Sequence, residues 1–213
     1  MSDCGKFITF EGPEGAGKST QLKMCAELLR SKGFEVITTR EPGGTPLAEE
    51  LRTVLKTHNS SETLHAETEL LLMEAARSQH VREVILPALE RGAVVLCDRF
   101  YDSTTAYQGV ARSIDCQLIS QLNLFAAAYR EPDLTLIFDL PVESGFARAG
   151  RRQETAGVYD RFEAENIDFH RQVREAFLGI AQKEPRRVRV INAEGTPEEV
   201  SERVRGTLDE LFG

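Results

Sequence analysis

One stretch decides the fold: Gly12-Pro13-Glu14-Gly15-Ala16-Gly17-Lys18-Ser19, a complete match to the pattern GxxxxGK(S/T). It follows a strand predicted over Phe7–Phe10 and opens a helix predicted over Lys18–Ser31, the context that this motif requires. Glycines let backbone N–H groups surround an anion, and the helix N-terminus adds partial positive charge. Lys18 is then placed to reach the β and γ phosphates, and the Ser19 hydroxyl to ligate Mg²⁺. The stretch therefore predicts a P-loop that binds a nucleoside triphosphate.

Outward from this loop, short apolar runs alternate with helical patterns along the chain. The predicted strands are Phe7–Phe10, Glu35–Thr39, Ala93–Asp98, Leu134–Leu140 and Arg187–Asn192. The predicted helices are Lys18–Ser31, Pro46–Lys56, Ala66–Arg91, Ile114–Tyr129, Asp160–Gln182 and Pro197–Leu211. Strands this rich in Val, Ile, Leu and Phe suit a parallel sheet that is covered on both faces. The pattern predicts an α/β, doubly wound P-loop fold with a five-stranded parallel sheet flanked by helices.

Composition sets the class of the chain. Its 213 residues are 41% hydrophobic and 28% charged, which fits one domain over residues 1–213 and argues against disorder or a fibre. A formal net charge of -8 argues against binding nucleic acid through bulk charge. We find neither an apolar run of roughly 18 residues nor a signal peptide, so we expect a cytoplasmic protein without a membrane partner. Four scattered cysteines, without a CxxC pair, predict neither disulfides nor a zinc site.

The use of the triphosphate is indicated by the strand that ends at Asp98. A P-loop protein carries its second magnesium-associated acid at such a position, but the next residue is Arg99 rather than the Glu that polarises water in motor ATPases. The sequence also lacks the NKxD box of GTPases and the LSGGQ signature of transporter ATPases. These features favour phosphoryl transfer to a second small substrate over hydrolysis.

Arginine placement supports transfer onto an acceptor that is itself a phosphate. Planar guanidinium groups grip phosphate oxygens in pairs, and an arginine-bearing segment can close over the triphosphate and exclude water. Three arginines lie at strand ends or on a helix that can face the P-loop, and four lie in a predicted lid segment over residues 148–161. They are Arg40, Arg77 and Arg99, and Arg148, Arg151, Arg152 and Arg161.

Together these motifs resemble the bacterial thymidylate kinases over essentially the whole chain. The matching segments are Phe10–Thr20, Thr39–Thr45 (TREPGGT), Cys97–Phe100, Ala106–Gly109 (AYQG), Pro132–Leu136 and Asp160–Glu163. A P-loop alone would be generic, whereas TREPGGT, DRF and AYQG in this order are specific.

The resemblance implies transfer of the γ-phosphoryl of ATP to dTMP with Mg²⁺, in dTTP synthesis for DNA replication, by a homodimer. The implied ATP-binding residues are Gly12, Pro13, Glu14, Gly15, Ala16, Gly17, Lys18, Ser19 and Thr20, with Ser19 and Asp98 at the metal. Glu14 would bind the sugar 3′-hydroxyl; Arg40, Arg77 and Arg99 would clamp the acceptor phosphate; Ser103, Tyr107 and Gln108 would contact thymine. The implied catalytic set is Lys18, Asp98, Arg99, Arg148, Arg151 and Arg152. Because Pro13–Ala16 carries no basic residue, the chain resembles the group that supplies its catalytic arginine from the lid.

Two features depart from the family pattern, and the first is that Val110-Ala111-Arg112-Ser113 stands where a glycine-rich run usually follows AYQG. The helix carrying Arg77 has Met73 and Glu74 where an aromatic side chain usually stacks on thymine. We expect Met73 to pack on the base and Glu74 to point elsewhere. Two alternatives therefore stay open: a related small kinase with another nucleotide or a deoxynucleoside as acceptor, and a nucleotide-binding regulator without turnover. The apolar stretches Ala66–Ala76 and Leu118–Ala128 fit either a self-association face or ordinary core packing.

Overall fold

Five parallel strands form the centre of the molecule. The computed structural model describes residues 5–57, 62–148, 161–162 and 165–212. The strands are β1 (Phe7–Glu11), β2 (Val36–Arg40), β3 (Val94–Asp98), β4 (Leu134–Asp139) and β5 (Val188–Asn192), and they lie in the order β2-β3-β1-β4-β5. All four pairings are parallel, which confirms the predicted α/β fold with its five-stranded sheet. Residues 149–160, which make up most of the predicted lid, lie outside the described residues.

Helices connect these strands along the described parts of the chain. They are α1 (Lys18–Ser31), α2 (Pro46–Thr57), α3 (Ala66–His80), α4 (Leu86–Glu90), α5 (Tyr101–Thr104), α6 (Cys116–Ala126), α7 (residues 142–148), α8 (Ile167–Lys183) and α9 (Pro197–Phe212). A π-helical turn over Val81–Ile85 joins α3 to α4, so the predicted helix Ala66–Arg91 is continuous. A second π-helical segment, Thr105–Ala111, extends α5. None of the described helices is both long and apolar enough to cross a bilayer.

Two observed helices were not predicted, and two predicted helices have different bounds. Helix α5 with its π-helical extension, and helix α7, were not predicted. The helix predicted over Asp160–Gln182 begins at Ile167, because Asn166 caps it by accepting a hydrogen bond from Phe169 N at 2.9 Å. The helix predicted over Ile114–Tyr129 begins after the cap Asp115 and ends at Ala126, beyond which Ala128 and Tyr129 adopt positive φ.

The core fills both faces of the sheet. Helices α1 and α9 cover one face, where Leu22 and Val204 belong to the same apolar cluster as Ile8 and Phe10 of β1. The opposite face carries two clusters: one packs α4 and the π-helical turn Val81–Ile85 on β1 and β3, and the other packs α8 on β4 and β5. The fully buried strands explain the unbroken apolar runs in the sequence.

A buried polar network lies on the α8 side of the sheet. Asp102 of α5 is 2% exposed and pairs with both terminal nitrogens of Arg187 at 2.8 Å. Arg187 also donates to Thr135 Oγ1 of β4, and its guanidinium lies 5.2 Å from the centre of the Tyr101 ring. This network fastens the unpredicted helix α5 to the sheet.

Strand register sets the position of the polar residues. Phe10 of β1 pairs with Asp98 of β3 and with Leu136 of β4, and Arg40 of β2 pairs with Asp98. The ends of β1, β2 and β3 therefore meet at one edge, where open parallel sheets bind ligands. The P-loop begins directly after β1 at this edge.

Candidate active site

The P-loop adopts the conformation that its glycines permit. Gly12, Gly15 and Gly17 have φ values of 128°, 74° and 85°, a region that side chains disfavour. Gly15 also contacts Gly145 of α7 through backbone alone: a Cβ on Gly15 would lie 2.3 Å from Gly145 O, and one on Gly145 would lie 2.5 Å from Glu14 O. Helix α7 therefore packs directly on the loop.

Lys18 lies buried beneath this loop. Its Nζ donates to the carbonyl oxygens of Gly12 at 3.1 Å and Pro13 at 2.8 Å. Burial, followed by the nearby Arg99 guanidinium, lowers the pKa of Lys18 from 10.5 to about 8. An anion bound in the loop would favour the protonated amine.

Ser19 and Asp98 form an oxygen-donor pair beside the loop. Ser19 Oγ donates to Asp98 Oδ2 at 2.5 Å, which brings the start of α1 to the end of β3. A hydroxyl and a carboxylate oxygen suit Mg²⁺, which usually takes one or two carboxylates and completes its shell with water and phosphate oxygens. The pair thus fits the ion that the sequence implies.

Arg99 reaches the P-loop from a backbone conformation that is rare for its residue type. Its φ is 71°, which costs about 1–2 kcal/mol for a residue with a Cβ. Its guanidinium donates to Gly12 O, Ser103 Oγ and Glu14 Oε2 at 3.1–3.2 Å. It also lies 5.3 Å from the centre of the Tyr107 ring. Arg99, Glu14 and Ser103 are therefore one hydrogen-bonded group beside the P-loop.

Glu11 is a buried acid that the sequence analysis assigned no role. It is fully buried at the end of β1, accepts from Phe100 N at 2.7 Å and from Ser103 Oγ at 2.6 Å, and so fixes the turn after β3. Burial, followed by the charge of Asp102, raises its pKa from 4.5 to about 8. Its position at a strand end immediately before the P-loop was the available signal.

One cavity of about 730 Å³ joins the P-loop to a second wall. Its lining includes predicted residues from both sides: Glu14, Gly15, Ala16, Gly17, Lys18, Ser19, Thr20, Arg40, Met73, Arg77, Asp98, Arg99, Ser103, Tyr107, Gln108 and Arg148. Gly12 and Pro13 do not line it, although Lys18 contacts both of their carbonyl oxygens. The predicted lid residues Arg151 and Arg152 lie outside the described residues.

Arg77 forms part of the second wall and is held firmly. It is 2% exposed and donates through three nitrogens to Glu41, Glu74, Thr104 and Asn123 at 2.8–2.9 Å. Arg40, by contrast, lies at the rim, where its side chain is 54% exposed and pairs with Glu49. The two arginines therefore offer a phosphate very different environments.

Met73 and Glu74 separate as expected. Met73 lines the cavity, whereas Glu74 does not and turns to Arg77 at 2.8 Å. Glu74 is 6% exposed, its Oε2 has no hydrogen-bond partner among the described residues, and burial raises its pKa.

Tyr107 and Gln108 come from the π-helical segment. Tyr107 packs edge-on against Phe162, Phe169 and Phe177, with ring centres 6.0–6.4 Å apart. Gln108 is 1% exposed and donates from Nε2 to Glu69 Oε1 at 2.6 Å. The unpredicted segment thus supplies two predicted site residues.

The cavity also has lining residues that sequence reasoning missed. Arg52 and Lys56 of α2 line it and are four residues apart, so a helical pattern places them on one face. Ala193, Gly195 and Pro197, in the loop after β5 and at the start of α9, line it as well. The first pair was detectable as two cations shortly after TREPGGT, whereas the three lining residues of the loop are neither charged nor aromatic and gave no signal.

Comparison with known proteins agrees with this geometry. The family model described as thymidylate kinase matches residues 10–204. A thymidylate kinase of Pseudomonas fluorescens is 53% identical over 208 residues, covering 98% of this chain and 97% of its own, and that of Syntrophus aciditrophicus is 49% identical over 210 residues, covering 96% and 94%. The crystal structure of thymidylate kinase from Ehrlichia chaffeensis superposes with a TM-score of 0.77 at 36% identity, covering 96% of this chain and 99% of that one. The P-loop and the second wall are joined in one cavity, and the chain belongs to the thymidylate kinase family.

Proposed function

We propose that this protein transfers the γ-phosphoryl group of ATP to dTMP, giving dTDP and ADP. The observation that carries the proposal is the continuous cavity of about 730 Å³, which has the P-loop at one end and Met73, Arg77 and Gln108 at the other. A volume of this size takes ligands bound at both ends. We assign the product to dTTP synthesis for DNA replication, in the cytoplasm, by a single catalytic domain.

The donor end supplies the ATP site in this proposal. P-loop N–H groups and Lys18 bind the phosphates, and the Ala193–Pro197 loop borders the same end of the cavity. Ser19 and Asp98 would hold Mg²⁺, and their 2.5 Å contact supports that assignment. When bound, the ion neutralises negative charge on the phosphates.

The acceptor end supplies the dTMP site. Arg40 and Arg99 are proposed to bind the acceptor phosphate, with Glu14 on the sugar and Met73, Tyr107 and Gln108 around the base. Ser103 supports the site through its bond to Arg99 at 3.1 Å. Arg77 was predicted as a third phosphate clamp, but most of its N–H groups already donate to residues of the protein. We therefore expect it to bind one ligand atom at most.

Chemistry at this site depends on position and charge. The acceptor phosphate is already anionic near neutral pH, so transfer needs no strong general base. Lys18, Arg99 and the lid arginines Arg148, Arg151 and Arg152 are proposed to neutralise charge as the phosphoryl group moves along the in-line path. Arg148 is described at the end of α7, where it lines the cavity and donates to Ala193 O at 3.4 Å.

The test is ADP release from Mg-ATP with dTMP, dUMP, thymidine, AMP or CMP offered separately. We expect dTMP to give the highest kcat/KM. Preference for another acceptor would support the related-kinase alternative, and ATP binding without turnover would support the regulator. Lys18→Met should abolish turnover, and Lys23→Met, which removes an exposed lysine from the same helix, is its matched control.

We also propose a homodimer formed through α3 and α6. These helices pack on each other and expose apolar side chains: Leu71 of α3 is 59% exposed, and Leu118 and Phe125 of α6 are 44% and 63% exposed. Leu118 and Phe125 follow helical spacing, so they lie on one face of α6, and Tyr129, which is 74% exposed, follows just beyond the end of that helix. Phe125→Asp should give a monomer by analytical ultracentrifugation, whereas Val54→Asp, an exposed apolar position on α2, should not. A dimeric Phe125→Asp variant would contradict this interface.

A further inference from the structure

Glu69 of α3 is a buried carboxylate whose two oxygens have different partners. It is 1% exposed. Oε1 accepts from Gln108 Nε2 at 2.6 Å, and Oε2 accepts from Arg161 Nη2 at 2.5 Å, with Arg112 Nη2 at 3.5 Å. Arg112 pairs in turn with Glu165 at 2.5 Å, so two carboxylates and two guanidinium groups balance in this cluster. Glu69 itself does not line the cavity.

The arginine side of Glu69 is fixed from outside the cluster. Arg161 donates from Nε to Leu55 O and from its backbone N–H to Lys56 O, both at 3.2 Å at the end of α2. Arg112 lies over the Phe169 ring at 4.8 Å. With these guanidinium groups held, Oε2 of Glu69 is held too, and Oε1 stays directed at Gln108.

Carboxylate chemistry then determines which way the Gln108 amide faces. An ionised carboxylate only accepts hydrogen bonds, so the amide nitrogen of Gln108 must face Glu69. The carbonyl oxygen lies at the other end of the amide, on a side chain that lines the cavity. Gln108 thus offers a hydrogen-bond acceptor whose orientation is set by a residue that does not touch the cavity.

We propose that Glu69 is a specificity-determining positioning residue for the pyrimidine base of the acceptor. The inference rests on the proposed assignment of Gln108 to that base. Thymine and uracil carry an N–H donor at N3, whereas cytosine carries an acceptor there and an amino donor at C4. A fixed carbonyl oxygen pairs with the N3 donor and opposes the N3 acceptor of cytosine. An amide free to rotate would accommodate either base.

The test compares Glu69→Gln with Glu165→Gln through the dissociation constants of dTMP, dUMP and dCMP, measured by calorimetry. Gln at position 69 supports both orientations of the Gln108 amide, so the ratio of the dCMP to the dTMP constant should fall by about tenfold or more, the effect of one buried hydrogen bond. The constants for dUMP and dTMP should rise together, because both bases carry the N3 donor. Glu165→Gln removes a carboxylate from the same cluster without touching Gln108, so its ratio should stay within about twofold of the wild type. An unchanged ratio in Glu69→Gln would overturn the inference.

Two further variants separate a positioning role from loss of structure. The double variant Glu69→Gln with Gln108→Glu exchanges the partners, keeps their total charge and again directs an acceptor to the cavity, so the preference for dTMP should return. Failure of this variant to restore the preference while it folds would contradict the proposal. Gln108→Leu tests the underlying assignment: an unchanged dTMP constant would overturn both the assignment and the inference. A weakened dTMP constant, combined with an unchanged ratio in Glu69→Gln, would overturn the inference alone.

Discussion

Replacing Lys18 by Met should stabilise the nucleotide-free protein while it abolishes turnover. Burial lowers the pKa of Lys18 from 10.5 to about 8, and one pKa unit corresponds to about 1.4 kcal/mol, so the charged amine costs about 3 kcal/mol. Two hydrogen bonds to P-loop carbonyl oxygens are lost on substitution, at about 1 kcal/mol each. We therefore expect a net gain of about 1 kcal/mol in the free energy of unfolding near pH 7.

The pH dependence of this gain gives a sharper test. Between about pH 8 and pH 10.5 the unfolded chain holds the Lys18 proton more tightly than the folded protein, so wild-type stability rises with pH. The advantage of Lys18→Met should therefore shrink by up to about 3 kcal/mol over that range. Urea unfolding of both proteins across the range measures this difference, and Lys23→Met controls for loss of a lysine as such. A difference between Lys18→Met and wild type that does not change with pH would refute the reasoning.

Three other perturbations have defined outcomes. The pKa of Glu11 is raised from 4.5 to about 8, so wild-type stability should fall as pH rises through that interval. Thermal midpoints measured across the interval should fall less steeply in Glu11→Gln, and parallel midpoint curves for the two proteins would contradict this. Arg187→Met leaves the Asp102 carboxylate buried without its partner, so the free energy of unfolding, measured with urea, should fall by about 3–5 kcal/mol. Adding Asp102→Asn should recover much of this loss, and a loss below about 1 kcal/mol in Arg187→Met would contradict the importance of the buried pair. Gly145→Ala places a Cβ 2.5 Å from a P-loop carbonyl oxygen and should raise the dissociation constant of ATP by about tenfold or more. Gly179→Ala, whose added Cβ has no atom within 4 Å, should leave that constant unchanged. Equal dissociation constants in the two variants would contradict a role of the Gly145 contact in ATP binding.

Local sequence signals predicted the sheet and the first helix well. Strand β1 was predicted as Phe7–Phe10 and extends one residue further, and α1 begins and ends as predicted. Both follow from neighbouring residues alone: an apolar run forms the strand, and the glycine-rich loop ends in a helix start. The P-loop motif also predicts which edge of the sheet binds phosphate.

The acceptor side was harder to predict because residues far apart in the sequence form it. The segment Tyr101–Ala111 departs from the usual helical pattern, since the polar residues Asp102, Thr104 and Gln108 are buried there and the apolar Val110 is 43% exposed. Arg77 as a clamp on the acceptor phosphate stays a prediction; Glu74, one of its partners, lies three residues earlier on the same helix, whereas the other three come from distant segments and leave no pattern in the sequence. The lid arginines Arg151 and Arg152 stay a prediction.

The contact between Gly15 and Gly145 has a consequence for how this chain can vary. A Cβ on Gly15 would meet the backbone of Gly145, and a Cβ on Gly145 would meet the carbonyl oxygen of Glu14, so no rotamer change relieves either substitution. Neither partner can become smaller to compensate for growth of the other. Genetic suppressors of a change at either glycine should therefore not arise at its partner, and libraries that randomise both should return glycine at both, although neither position supplies a reactive group.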